Sequence, residues 1–126
     1  MPNYEIVGSY FHPPAKAILS GIPQGTILRL RAEPTNEYDP NAIQVLIRPA
    51  ENLIPEEDYS ALEQELSGFG KDLNDFFSQS EWHLGYIRKE IAKVLRESNI
   101  VPLNTEIEVE FLINFSGKPM ISLNEI

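Results

Sequence analysis

The sequence predicts a mainly β, α+β fold: a small antiparallel barrel or sandwich of about six strands, one helix after the fourth strand and an acidic helical insertion. Three observations support this prediction. Several short segments alternate apolar and polar residues, glycines and prolines separate these segments, and one longer segment repeats apolar residues at helical spacing. The 126 residues suit a single domain, residues 1–126, with one core.

The strands are predicted from period-two alternation and from the residues that end them. Gly8 indicates a bulge or a close backbone approach in the first strand. Pro34 cannot donate to a ladder and ends the second strand near Glu33, and Pro49 ends the third. The six predicted strands are Tyr4–Phe11, Thr26–Glu33, Ala42–Ile47, Trp82–Ile87, Thr105–Phe115 and Met120–Asn124.

The helices are predicted from apolar spacing and capping residues. Residues 88–98 form a helix that Asn99 caps, with three apolar side chains facing inward: Ile91, Val94 and Leu95. Two short helices, over about 56–67 and 71–78, share an amphipathic stripe that we expect to pack onto the barrel. This stripe comprises Leu62, Leu66, Phe69, Leu73, Phe76 and Phe77.

The acidity of the chain is concentrated in one segment. The net charge is −9, and residues 51–81 hold nine acidic residues and one lysine, a charge of −8. The rest of the chain carries −1, so nearly all of the acidity lies in residues 51–81 and the remainder is nearly neutral. Overall acidity opposes nucleic-acid binding, but this distribution leaves room for it.

No motif for catalysis is visible. The sequence has no cysteine, no glycine-rich phosphate loop and no nucleophile elbow, and its two histidines, His12 and His83, stand in no metal-ligand spacing. We interpret the acid pair Asp72 and Asp75 as a solvated helix face. We therefore expect a protein that is not an enzyme, has no cofactor and no bound metal, does not span a membrane and is cytoplasmic.

The turn between the second and third strands carries the most specific signal. Asn36, Asp39 and Asn41 are short polar residues that bond their own backbone, and Pro40 pre-sets a turn. This turn therefore places Tyr38 beside Asp39 at the end of a strand pair. Packing does not require an aromatic residue at a turn tip.

The chain resembles the HIRAN domain family. Residues 31–45 are similar to its signature, Arg-x-Glu/Asp-Pro-x-Asn-x-Tyr-Asp-x-Asn-Ala-Ile-x-Val. Residues 84–92 resemble the family's Gly-Tyr/His-hydrophobic-x-x-x-x-Ala block, and residues 6–11 resemble its first strand. That strand usually has a basic residue next to its aromatic, whereas Ser9-Tyr10-Phe11 has none.

The resemblance implies an OB-like β-barrel and a non-catalytic DNA-binding module in DNA repair or replication. A typical HIRAN chain is much shorter between the two main blocks, so the resemblance also implies that residues 51–81 are an acidic insertion on a nearly neutral domain. HIRAN domains bind DNA, and those of fork-remodelling helicases hold the 3′ end of a single strand. In that mode Tyr38 and Asp39 line the end pocket, Asp39 accepts a hydrogen bond from the terminal 3′-hydroxyl, and Tyr10 or Phe11 completes the pocket.

Residue chemistry alone also supplies candidates for binding a single strand, which needs aromatic platforms for bases and cations for phosphates. The stacking candidates are Tyr10, Phe11, Tyr38 and Tyr86. The phosphate candidates are Arg29, Arg31 and Arg88, and Asn36 is a candidate base reader.

Structural interpretations of the same residues stay open at this point. Asp39 can cap the turn, Asn36 can form it, Tyr38 can pack on the barrel rim and Tyr86 can belong to the core. The two strand arginines can pair with strand acids such as Glu33 or Glu108.

Two other functions also stay open. The chain can be a protein-interaction module whose acidic insertion recruits a basic partner or mimics nucleic acid. It can also be the substrate-recognition subunit of a separate DNA-processing enzyme.

Overall fold

Six strands form a closed antiparallel barrel in the spatial order β1-β4-β3-β2-β5-β6. The computed structural model describes residues 3–8, 15, 18–19, 21–49, 53–54 and 56–123. The predicted mainly β fold with a small OB-like barrel is confirmed. The strands are β1 (Asn3–Val7), β2 (Ile27–Ala32), β3 (Ile43–Ile47), β4 (Trp82–Ile87), β5 (Ile107–Ile113) and β6 (Pro119–Ser122).

Side-chain alternation in β2 follows the prediction. Leu28 and Leu30 are fully buried, whereas Arg29 and Arg31 lie on the outer face and are only partly covered. Alternation positions the arginines on the outside because successive side chains of a strand point to opposite faces. The predicted first strand extends further than β1, and its residues after Gly8 lie outside the described residues.

Three α-helices that are described over their whole length accompany the barrel: α1 (Tyr59–Ser67), α2 (Leu73–Phe77) and α3 (Lys89–Glu97). Residues 15, 18–19 and 21 are also helical. A 3₁₀ turn over Glu56–Asp58 precedes α1. Asn99 has a positive φ of 59° directly after α3, which fits its predicted capping role. No helix within the described ranges is long and apolar enough to cross a membrane.

The predicted inward face of α3 is wrong for one residue. Ala92 and Leu95 are buried and Ile91 is partly buried, but Val94 is 59% exposed. At 3.6 residues per turn Val94 lies about 100° from the centre of the stripe that the other three define. Ala92, whose small side chain gave a weak signal, occupies the core position instead.

The acidic segment packs onto the barrel. Leu62 and Leu66 of α1 and Phe76 of α2 belong to the same hydrophobic core as the strands. The Phe76 ring stacks on Trp82 at the start of β4, with centroids 4.3 Å apart, and Trp82 Nε1–H donates to the Phe76 carbonyl at 3.0 Å. The predicted packing of the stripe is therefore confirmed, and the status of 51–81 as an insertion stays a prediction.

Two details of this segment differ from the prediction. Phe69 does not join the buried stripe and is 60% exposed, because the chain turns between the helices, where Gly70 has a φ of 73°. Asp72 and Asp75 form a reciprocal capping box: the Asp72 carboxylate accepts from Asp75 N–H at 2.8 Å, and the Asp75 carboxylate accepts from Asp72 N–H at 3.2 Å. These acids begin α2 and are not merely a solvated face.

Candidate functional site

Antiparallel pairing brings three chain segments together at one end of the barrel. Tyr86, near the end of β4, lies between Gln44 at the start of β3 and Val7 at the end of β1. The β2–β3 turn therefore lies beside the last residues of β1 and β4. An open cleft of about 820 Å³ lies there, lined by Val7, Gly8, Asn36, Tyr38, Asp39, Ala42, Tyr86, Ile87 and Lys89.

Asn36 forms the β2–β3 turn. Its Oδ1 accepts from the backbone N–H of Tyr38 at 2.9 Å and of Asp39 at 3.0 Å. The turn closes through Ala42 N–H donating to the Asp39 carbonyl at 3.1 Å. The structural interpretation of Asn36 is thus confirmed, since its amide oxygen is used within the protein.

Tyr38 projects from this turn into solvent at the cleft. Its side chain is 86% exposed, so it does not pack on the barrel rim. An exposed aromatic ring held by a rigid turn is a platform for stacking, because little ordering of the backbone remains to be done when a ligand binds. The sequence offers no packing reason for an aromatic residue at this turn, and the exposed position of Tyr38 agrees with that.

Asp39 caps the turn, and one of its two carboxylate oxygens is not used for this. Its Oδ1 accepts from Asn41 N–H at 2.9 Å, which caps the turn. Its Oδ2 makes no hydrogen bond to any residue in the described ranges. An ionised carboxylate has about four acceptor sites, so one oxygen serves the turn while this cleft-lining residue keeps the other as a further acceptor.

Glu33 lies at the end of β2 and accepts hydrogen bonds from three side chains. Asn36 Nδ2–H donates to Oε1 at 2.5 Å, Gln44 Nε2–H donates to Oε2, and the Tyr86 hydroxyl donates to Oε1 at 3.1 Å. This carboxylate therefore joins the turn to β3 and β4.

Tyr86 is half-buried and lines the cleft while its hydroxyl donates to Glu33. Burial raises the pKa of Tyr86, and the negative charge of Glu33 and the hydrogen bond to it raise the pKa further. The ring of His83 packs against Tyr86 with centroids 4.9 Å apart. Tyr86 is thus neither a core residue nor a free stacking platform.

The three predicted arginines do not line the cleft. Arg29 pairs with Glu106 at 3.0 Å, Arg31 pairs with Glu81 at 2.6 Å and Glu106 at 3.1 Å, and Arg88 pairs with Glu5 at 3.0 Å. The predicted pairing with acids is right, but the predicted partners are wrong. In the β2–β5 register Arg29 lies opposite Glu108, and its long side chain reaches the diagonal neighbour Glu106 instead.

Arg31 and Glu81 perturb each other. The hydrogen bonds from Arg31 lower the pKa of Glu81 below its ordinary value of 4.5, and the hydrogen bond to Glu81 raises the pKa of Arg31. Glu81 follows α2, so this ion pair fastens the end of the acidic segment to β2.

Lys89, which the sequence reading overlooked, supplies a cation to the cleft. It lies at the start of α3, lines the cleft and forms no ion pair with any residue that the structure describes. Its place inside the block of residues 84–92, three residues after Tyr86, was the available signal. Gln44 and Glu33 were missed too, and the signal for Gln44 was a lone amide in an apolar strand.

Two predicted site residues, Tyr10 and Phe11, lie outside the described residues, so their contribution stays a prediction. Within the described ranges no group of three His, Cys, Asp or Glu residues is arranged to hold a metal ion.

Comparison with known proteins agrees with this geometry. Residues 1–99 match the HIRAN domain family, a match that covers both the β2–β3 turn and the cleft residues of β4 and α3. The chain belongs to the HIRAN domain family, and this membership supports a DNA-binding role. No curated protein and no solved structure matches the chain.

Proposed function

We propose that this protein binds single-stranded DNA by its 3′-hydroxyl end, in the cleft between the β2–β3 turn and the ends of β1 and β4. The observation that supports the proposal most is the pair of groups on one turn at the cleft: the exposed Tyr38 ring, and Asp39, whose Oδ2 forms no hydrogen bond with any described residue. In this proposal the protein is a recognition module and does not catalyse a reaction.

The carboxylate of Asp39 gives the cleft its preference for a strand end. Along a strand every internal sugar is esterified, so it offers phosphate oxygens, which a carboxylate repels. A free terminal hydroxyl can donate to Oδ2, and a hydrogen bond to an ionised acceptor is roughly twice as strong as a neutral one. Asp39 therefore favours a 3′-hydroxyl and opposes a 3′-phosphate.

Tyr38 and Lys89 supply the remaining contacts. The exposed ring of Tyr38 can stack on the terminal base, a contact worth about 1–3 kcal/mol. The ammonium group of Lys89 can neutralise the phosphate next to that base. The described lining has one lysine, and the strand arginines are paired with acids, so attraction between the cleft and the DNA phosphates is weak. The hydrogen bond to the terminal hydroxyl and the stacking of the terminal base therefore dominate recognition.

The test is fluorescence anisotropy with strands of one sequence, labelled at the 5′ end and differing only at the 3′ end. The three ends are a hydroxyl, a dideoxy terminus and a 3′-phosphate. We expect the hydroxyl strand to bind most tightly, the dideoxy strand about tenfold more weakly for the lost charged hydrogen bond, and the phosphate strand most weakly.

The dideoxy strand separates the hydrogen bond from repulsion, because it lacks the donor and adds no charge. Equal affinity for all three ends would overturn the proposal and leave a general DNA-binding role. No binding to any strand would favour the alternative of a module that contacts a protein through its acidic helices.

A further inference from the structure

Glu33 does not line the cleft, but it accepts hydrogen bonds from two side chains that do, Asn36 and Tyr86. Its carboxylate is partly buried and is absent from the described lining, yet it holds one side chain from the turn, one from β3 and one from β4. An ionised carboxylate only accepts hydrogen bonds, so all three partners must point a donor at it.

The bond to Asn36 transmits this constraint to the exposed groups. With its Nδ2 directed to Glu33, the Asn36 amide must direct Oδ1 the opposite way, towards the N–H groups of Tyr38 and Asp39. A flipped amide would present an NH₂ group to those two donors. Glu33 therefore adds a third hydrogen bond to the two backbone ones that favour the amide orientation holding Tyr38 and Asp39 in place.

We propose that Glu33 is a positioning residue for the DNA-end site, acting through Asn36 on Tyr38 and Asp39. This inference rests on the proposed function. Its test is separate from that of the proposed function, because it measures how DNA affinity changes when Glu33, which does not itself contact the DNA, is substituted.

The experiment compares Glu33→Ala with Glu33→Gln by anisotropy on the 3′-hydroxyl strand. We expect Glu33→Ala to bind about tenfold more weakly, since three donors lose their acceptor and the Asn36 side chain loses one of the three hydrogen bonds that fix it. Glu33→Gln should recover most of the affinity. Its oxygen can take the place of Oε1, which serves Asn36 and Tyr86, and its NH₂ group can face a reoriented Gln44 amide.

Glu37→Ala is the matched control. Glu37 is exposed on the same turn and does not line the cleft, so this change removes an equal charge and should leave the affinity within about twofold.

A second readout is the titration of ¹³C-labelled tyrosine, followed by NMR. Both Glu33 variants should lower the pKa of Tyr86, because both remove the negative charge beside it.

Three results would decide the matter. Weak binding by Glu33→Ala with recovery in Glu33→Gln supports the inference. Binding by Glu33→Ala at the level of Glu37→Ala, or equally weak binding by both Glu33 variants, overturns positioning and leaves the proposed function standing. A wild-type protein that binds no strand overturns the proposed function and this inference with it.

If Glu33→Ala fails to fold, Asn36→Asp carries the test. Its carboxylate keeps an acceptor for the Tyr38 and Asp39 amides but meets Glu33 with a like charge. The expected loss is again about tenfold, and binding at the wild-type level would overturn the inference.

Discussion

At the scale of single residues, the proposed function gives the two oxygens of Asp39 separate tasks. One caps the turn through Asn41, and the other is left as an acceptor at the cleft. Since the cap needs only an oxygen, whereas discrimination between strand ends needs the charge, a substitution can separate these tasks. Asparagine keeps the first and removes the second.

The first prediction concerns Asp39→Asn. The variant should fold as the wild type does, because its amide oxygen still accepts from Asn41. Its preference for a 3′-hydroxyl over a 3′-phosphate should fall at least about fivefold, because the like-charge repulsion is gone. The measurement is the ratio of the two dissociation constants by anisotropy.

Glu37→Gln is the control for this prediction, because it makes the same change of charge one residue away from Tyr38 and outside the cleft lining. It should keep the wild-type ratio. An unchanged ratio in Asp39→Asn would show that Asp39 is only a turn cap.

At the scale of elements, the acidic segment is fixed to the barrel at its end. Phe76 of α2 stacks on Trp82, and Glu81 pairs with Arg31 of β2. The segment therefore contributes to the core, and deleting it would expose Trp82 instead of isolating the effect of its charge. Point substitutions are the appropriate tests.

The second prediction compares two phenylalanines of this segment. Phe76 is 1% exposed and Phe69 is 60% exposed. Phe76→Ala should lower the free energy of unfolding by about 3–5 kcal/mol, through lost burial and a cavity. Phe69→Ala should change it by less than about 0.5 kcal/mol. Urea denaturation measures both, and similar values for the two would mean that α2 is not docked as described.

The third prediction concerns the Arg31–Glu81 pair at acid pH. The pKa of Glu81 is lowered in the folded protein, so its contribution to stability is complete above its ordinary pKa of 4.5 and is lost as pH falls through the lowered value. Near neutral pH, Glu81→Gln should melt at a lower temperature than the wild type. This difference should shrink as pH falls below 4.5.

Glu63→Gln provides the comparison, since Glu63 is exposed on α1 and has no ion-pair partner within the described ranges. Its melting temperature should follow the wild type at each pH. A Glu81→Gln difference that persists unchanged into acid would contradict the assigned pKa direction.

Local patterns predicted the elements well, because alternation, apolar spacing and capping residues act over a few neighbours. β4 was predicted at its observed boundaries, Trp82–Ile87, and the α3 prediction extended one residue beyond each end. The turn could also be predicted, since Asn36 and Asp39 bond to backbone within three residues. These interactions need no knowledge of the fold.

The missed features depend on contacts between distant parts of the chain. Arg31 and Glu81 are 50 residues apart, and Glu33 and Tyr86 are 53 apart. Nothing local shows that Arg31 meets an acid from the end of the helical segment, or that Glu33 receives a hydroxyl from β4. Closure of the barrel brings these residues together. It therefore also determines which cationic side chains are paired with acids and which can contact a ligand.

At the scale of the whole molecule, the net charge of −9 opposes DNA binding, and the described lining of the cleft does little to offset it. Lys89 is one cation in the described lining, and the strand arginines are paired with acids. Binding should therefore depend on the strand end more than on the phosphate backbone.

The fourth prediction follows for salt dependence. The logarithm of the association constant for the 3′-hydroxyl strand should fall with the logarithm of salt concentration with a slope of magnitude about 1, since a single-strand contact contributes about 0.7. Lys89→Gln should flatten that slope. A slope several times steeper would indicate many phosphate contacts and a binding surface elsewhere.

The most direct test of the central claim is chemical-shift mapping. A 3′-hydroxyl strand is titrated into ¹⁵N-labelled protein, and the amide signals are followed by NMR. The account predicts that the largest changes occur at Gly8, Tyr38, Asp39 and Lys89, with the Ile47–Trp82 pair at the other ends of β3 and β4 unaffected. Changes centred on that pair or on α1 and α2, with the β2–β3 turn unmoved, would contradict it.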